Sequence, residues 1–229
     1  VAETAARALI PANLELGGKD PMIVLPGADP VGAARLALRA SVAATGQACQ
    51  SIERVYVPRG LAEPFLAELT ARAAEVQPNW PDINAGGLGP FIFAAQAEKV
   101  AAQIDDALAK GARLLAGGKP EQLGGGWYML PTVLVDVTAD MAVMTEESFG
   151  PLIPVTIYDS VDDAVVQAND SVYGLSAAVV GPREAAEAVA ERLEAGAISI
   201  NDGALTSMVW DAANCSQKAS GLGPSRMGD

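Results

Sequence analysis

Cys49 lies in Gly46-Gln47-Ala48-Cys49-Gln50, behind a run of small residues rather than inside an apolar strand. A cysteine attacks as its thiolate, which needs a helix terminus, a cation or a base nearby. A lone cysteine is more often a small buried hydrophobe than a nucleophile, so Cys49 needs a partner to matter. The sequence contains no histidine, and the partner must then be a carboxylate, a lysine or a tyrosine. Glu15 is the candidate, 34 residues upstream (49 − 15) in Leu14-Glu15-Leu16-Gly17-Gly18-Lys19-Asp20-Pro21. Its neighbours Gly17 and Gly18 let the backbone approach a ligand or take positive φ at little steric cost. Without such a pair, a glutamate before a turn is a solvated acid. A third group, Glu146-Glu147-Ser148-Phe149-Gly150-Pro151, sets two acids before a tight turn. That turn presents Glu147 and Phe149 to one cleft, a carboxylate suited to ribose hydroxyls and a ring suited to a flat cofactor. No G-x-G-x-x-G and no P-loop is present.

The elements that must position these groups alternate between extended and helical patterns. Met22 to Leu25 reads as a buried strand after Pro21. Asp29-Pro30 offers an N-cap with proline at the first helical position, and an alanine-rich helix follows to about Thr45. Arg54 to Val57 reads as strand. Leu61, Phe65, Leu69 and Ala73 share one helical face, as do Val100, Ile104 and Leu108 in a helix ended by Gly111. Strands are predicted at Leu114-Leu115 and Thr132 to Val135, with turn glycines at 117–118 and 124–126. Ile153 to Ile157, Ser176 to Val180 and Ala197 to Ile200 complete the strands; Asp162 to Ala168 and Arg183 to Leu193 complete the helices. The order predicts an α/β fold, a largely parallel twisted sheet flanked by helices. From Leu205 onward the chain reads as irregular surface segment.

Composition narrows the function. With 15 Lys+Arg against 28 Asp+Glu the formal net charge is −13, which argues against a nucleic-acid partner and an anionic membrane surface. No stretch reaches the ~18 apolar residues of a membrane span. The lack of histidine excludes a Ser-His-Asp triad and histidine metal ligands, and two cysteines cannot make a Cys₄ zinc site; no metal is expected. Two distant thiols fit a reducing cytoplasm. The first residue is Val1, and the chain opens as if within a helix, so it is expected to be a fragment or a processed chain.

Taken together, the three segments resemble the aldehyde dehydrogenase superfamily, from about residue 1 to the end. The Glu15-Leu16-Gly17-Gly18-Lys19-Asp20-Pro21 block and the Gly46-Gln47-Ala48-Cys49 block are similar to that family's paired signatures. Gly89-Pro90, Pro131 to Leu134, Glu147 to Pro151, Asn169, Tyr173 to Ser176, Gly196 to Asn201 and Lys218 to Gly221 follow in the family's order. One departure stands out: Ala213-Asn214-Cys215-Ser216-Gln217 replaces the usual Pro-Phe-Gly-Gly before Lys-x-Ser-Gly.

The resemblance implies the C-terminal, catalytic-domain half of such an enzyme. Residues 1–20 would be the edge of a dinucleotide-binding domain, 21–204 the catalytic α/β domain and 205–229 an irregular C-terminal segment. It implies Cys49 as nucleophile and Glu15 as base for thioester hydrolysis. It also implies Glu147, Phe149, Leu16 and Gln96 as contacts for NAD or NADP. CoA-acylating members tend to lack the glutamate at position 15, so hydrolysis is the expected fate of the thioester. The substrate would be a small-molecule aldehyde, with Trp210 and Met208 at a hydrophobic entrance or in ordinary packing, and the parent protein a homo-oligomer, dimer or tetramer. The 229 residues alone are expected to bind the cofactor poorly and to be inactive. The alternative is a catalytically silent fragment with a folding or association role only.

Overall fold

A computed structural model describes residues 1–209 and 214–226. Seven strands form one sheet in the order Ala197–Ile200, Ser176–Val180, Asp20–Val24, Ile52–Pro58, Leu152–Tyr158, Thr132–Val135, Arg113–Ala116. All neighbours are parallel except the last pair, where Arg113–Ala116 runs antiparallel to Thr132–Val135 along one edge. The strands Asp20–Val24, Ile52–Pro58 and Ser176–Val180 are buried along their whole length, as expected of a parallel sheet covered on both faces.

Side-chain alternation divides the core into two layers. Met22 and Val24 face one way, toward Ala33, Ala34, Ala37 and Ala40 of helix Pro30–Val42 and Phe65, Leu69 and Ala73 of helix Arg59–Glu75. Ile23 and Leu25 face the other layer, with Val100 and Ile104 of helix Ala94–Ala109, Ala164 and Val165 of helix Val161–Asn169, and Val189 of helix Arg183–Ala190. The Asp29 carboxylate caps the first of these helices by accepting from the Val31 and Gly32 N–H groups at 3.1 Å each. Its buried alanines let it lie close on the sheet.

Several expectations need correction. The helix from Arg183 stops at Ala190 rather than Leu193. The glycines at 124–126 do form a turn, but it closes an unexpected hairpin, Glu121–Leu123 with Gly126–Tyr128, that has no alternating apolar pattern of its own. Leu108 is 38% exposed, while Gln103 fills the buried stripe instead. The segment from Leu205 is more ordered than its composition suggests. Within it Asn214–Cys215 pairs with Pro224–Arg226, Gln217–Lys218 with Tyr173–Gly174, and Gly221–Leu222 with Leu14–Glu15, all antiparallel. Ser220 is fully buried there and its Oγ accepts from the Gly174 N–H at 2.9 Å.

Candidate active site

Glu15 and the Gly17-Gly18 turn precede strand Asp20–Val24, Cys49 precedes Ile52–Pro58, and Glu147 and Phe149 precede Leu152–Tyr158. All three groups therefore meet at the amino ends of parallel strands, opposite to the carboxyl edge where open α/β sheets usually bind ligands. A cavity of about 670 Å³ does lie at that carboxyl edge, lined by Gly27, Asp29, Arg35, Arg39, Gly181 and Asn201. Its two arginines are spent on Glu68 and Asp202, and none of the sequence-predicted residues lines it.

The Cys49 loop is strained into place. Helix Pro30–Val42 gives way to a 3₁₀ turn, Ala43–Gly46, in which Ala44, Thr45 and Gly46 have φ of 52°, 61° and 68°. Left-handed backbone at non-glycine residues costs about 1–3 kcal/mol each and persists only where the surroundings over-determine it. Those surroundings are close: a methyl on Gly46 would collide with the Gly150 carbonyl and lie 2.8 Å from the Ser41 oxygen. The Thr45 hydroxyl donates to the Gly89 carbonyl at 3.3 Å. The Gln47 amide donates to the Pro90 carbonyl at 3.2 Å and accepts from the Ile92 N–H at 2.8 Å. The loop delivers Cys49 half-buried, in a turn, with its sulfur beside its own backbone N–H.

The glycine turn is the floor between the groups. The Glu15 Oε1 accepts from the Gly17 N–H and the Glu147 Oε1 from the Gly18 N–H, each at 3.1 Å. A Cβ on Gly17 would fall on the Glu147 carboxylate, and one on Gly18 would sit 3.0 Å from the Cys49 carbonyl oxygen. Only glycine leaves this space open. Burial raises the Glu147 carboxyl above its ordinary range, opposed by the Gly18 hydrogen bond. Burial also pushes the Cys49 thiol up to about 11, with the charges of Glu15, Asp20 and Glu147 adding to the shift.

That value makes the resting sulfur a thiol. With Cys215 replaced by Ser, the rate of Cys49 alkylation by iodoacetamide is expected to rise about tenfold per pH unit from pH 7 to 10, because only the thiolate reacts. A plateau below pH 8 would show that a base or cation already holds the thiolate.

Phe149 adopts φ of 51° and is partly exposed. The Gln96 amide donates to the Ser148 carbonyl, so its nitrogen is committed to the backbone of the Glu147–Phe149 turn. The Leu16 side chain is 60% exposed and its N–H donates to the Ser220 carbonyl at 2.8 Å. Met208 is exposed; Trp210 lies outside the described residues. Among the described residues no group of three His, Cys, Asp or Glu side chains is arranged to hold a metal ion.

Sequence reasoning passed over the buried polar residues behind the site. Lys19 and Glu53 form an ion pair at 2.7 Å with side chains 0% and 3% exposed. The Arg54 guanidinium, 2% exposed, donates to the Lys19 carbonyl at 2.8 Å and the Ala168 carbonyl at 2.9 Å. Asp20 binds the Ser176 hydroxyl and N–H, and burial raises its carboxyl well above the usual range. The available signal was a Glu-Arg pair leading into an apolar strand, where charges are rarely buried unless paired.

The profile of the aldehyde dehydrogenase family matches residues 1–229. The Anabaena variabilis protein PutA, assigned as an aldehyde dehydrogenase, superposes with a TM-score of 0.96 at 50% identity, over 99% of this chain and 49% of its own. An aldehyde dehydrogenase from Bacillus cereus, solved as an NAD+ complex, gives a TM-score of 0.90 at 34% identity, over 97% of this chain and 45% of its own. A Mycolicibacterium smegmatis protein assigned as a succinate-semialdehyde dehydrogenase [NADP(+)] is 38% identical over 225 residues, 97% of this chain and 44% of that protein. The chain thus spans about half the length of the relatives it matches. A match that runs over every residue, on a sheet whose amino edge gathers Cys49, Glu15 and Glu147, makes this chain a member of the aldehyde dehydrogenase family.

Proposed function

We propose that this chain carries the catalytic machinery of an NAD- or NADP-dependent aldehyde dehydrogenase, which oxidises an aldehyde to a carboxylic acid through a thioester on Cys49. The observation that carries the reading is the Gly17-Gly18 turn, against which the Glu15 carboxylate, the Glu147 carboxylate and the Cys49 backbone all close.

The residues present fit a nicotinamide dinucleotide. The side-chain-free Gly17-Gly18 surface is a cradle that a Cβ would fill, the half-buried Glu147 offers acceptors for ribose hydroxyls, and the Phe149 ring offers a flat apolar face. When bound, the dinucleotide supplies the hydride acceptor. Leu16 and Gln96 complete the assignment, Gln96 by holding the carbonyl of Ser148 within the same turn.

In the reaction, the Cys49 sulfur gives its proton to solvent water and adds to the aldehyde carbon, forming a C–S bond while the carbonyl π pair moves to the former carbonyl oxygen as an oxyanion. The Cys49 N–H, already facing the sulfur, donates to that oxyanion. The carbon then loses hydride with its electron pair, and the carbonyl re-forms as a thioester on Cys49. Glu15 takes a proton from water as the water oxygen attacks the thioester; the C–S bond breaks, releasing the carboxylic acid and the Cys49 thiolate.

On this reading residues 1–20 form the edge of the dinucleotide-binding unit, 21–204 the catalytic domain and 205–229 a C-terminal segment, within a dimeric or tetrameric parent. Both cysteines are free, which supports a reducing, cytoplasmic setting. Among the described residues no helix is long and apolar enough to cross a membrane. The test is a panel of aldehydes, succinate semialdehyde included, given with NAD and with NADP to the natural polypeptide that contains this chain. The expected result is aldehyde-dependent reduced dinucleotide with one carboxylate formed per turnover. No reduction with either dinucleotide across the panel would leave the catalytically silent alternative standing.

A further inference from the structure

Lys19 stands four residues after Glu15, and Glu53 four residues after Cys49. Their side chains meet in the interior at 2.7 Å, and both reach the turn that carries Glu147 and Phe149. The Glu53 Oε2 accepts from the Lys19 ammonium and the Ser148 N–H, and its Oε1 from the Phe149 N–H, all at 2.7 Å. The Lys19 ammonium also donates to the Ser148 hydroxyl at 2.8 Å. One buried ion pair thus ties together the segments bearing the base, the nucleophile and the dinucleotide-facing turn.

We infer that Glu53, seated on Lys19, is a positioning residue that sets the Ser148-Phe149 backbone and so places Glu147 and Phe149 for dinucleotide binding. The inference rests on reading those two residues as dinucleotide contacts. Phe149 has φ of 51°, and a left-handed residue turns successive N–H groups toward one point, a concavity that accepts an anion. Glu53 is the anion built into this one. An aromatic residue keeps such a conformation only where it is held from outside. Glu53 grips the N–H side, while Gln96 and Gln103 donate to the Ser148, Glu146 and Glu147 carbonyls on the other. A buried ion pair is weak evidence of a stability role, since apolar residues of like volume often do as well. The pair's geometry, with both carboxylate oxygens spent on the turn, points to placement.

The test uses the natural polypeptide with Lys19→Met and Glu53→Gln combined, so that neither charge is stranded. A second variant, Glu53→Asp, keeps the charge but is too short to reach both N–H groups from the same strand. In each, amide exchange over 146–150 is expected to speed by about tenfold or more, with strand 176–180 unchanged. The dinucleotide KM is expected to rise by about tenfold while kcat stays within roughly twofold. Cys49 alkylation without dinucleotide should keep its rate. Unchanged exchange over 146–150 would overturn the inference even in an active enzyme, and so would faster exchange with an unchanged dinucleotide KM. Faster exchange with no dinucleotide binding or turnover by the parent protein would sink the dehydrogenase reading and, with it, the role assigned to the turn, while leaving Glu53 as the group that holds it. A double variant that fails to fold leaves the decision to Glu53→Asp, where the same exchange and KM readings apply.

Discussion

Replacing Cys49 with serine is expected to lower aldehyde-dependent reduction of the dinucleotide by roughly 10⁴-fold or more, the scale seen when a covalent nucleophile is removed. A serine hydroxyl is a far weaker acid than even a thiol pushed up to about 11, and the charges of Glu15, Asp20 and Glu147 beside it oppose ionisation further. The substitution keeps volume and loop geometry, so binding should survive the loss of turnover. Cys215→Ser should leave the rate within about twofold, because exposed side chains away from a site rarely matter. Cys215 is exposed and sits in the short ladder with Pro224. Steady-state rates of the two variants decide the matter. An inactive Cys215→Ser with an active Cys49→Ser would reverse the assignment.

Glu15→Gln should separate the two halves of the reaction. The amide oxygen can still accept the Gly17 N–H that Glu15 holds at 3.1 Å, so the turn should stay closed over its floor. An amide cannot take a proton from water at neutral pH. Loss of a general base typically costs about 10²–10⁴-fold, and the steady-state rate is expected to fall by that order. In the proposed reaction thiol attack and hydride loss do not use this base, so the first turnover should persist as a burst of about one reduced dinucleotide per site. Mass spectrometry of the quenched protein should find the acyl group on Cys49. Full turnover by the variant would remove Glu15 from the reaction. Absence of any burst would move its role to the thiol itself.

Legibility from the sequence followed the range of the forces involved. Strands Thr132–Val135, Ser176–Val180 and Ala197–Ile200 appear where their β-branched and small residues place them, and Asp29-Pro30 caps its helix as read. These signals are local. Cys49, Glu15 and Glu147 were legible because each sits in a short stretch whose glycines and order carry a family signature. The left-handed run at Ala44 and Thr45 was not, since neither residue favours that conformation and only packing against Gly89, Pro90 and Gly150 imposes it. Lys19 and Glu53 were missed for a similar reason. Each charge is sensible only in the company of the other and of two backbone N–H groups some 95 residues further on. The two-residue ladders of the tail have no periodicity to detect, because two residues cannot show one.

Those ladders bear on when the site can exist. Glu15 pairs with Gly221, 206 positions away (221 − 15), whereas the neighbouring strands Asp20–Val24 and Ile52–Pro58 are separated by a single helical crossover. Closing a longer loop costs more chain entropy and contacts of great sequence separation form late. On the ribosome the order is enforced outright: the ladder between Leu14–Glu15 and Gly221–Leu222 cannot form until residue 222 has emerged. A nascent chain can therefore bury its sheet and carry a thiol at position 49 long before the carboxylate proposed to serve it as base is pinned in place.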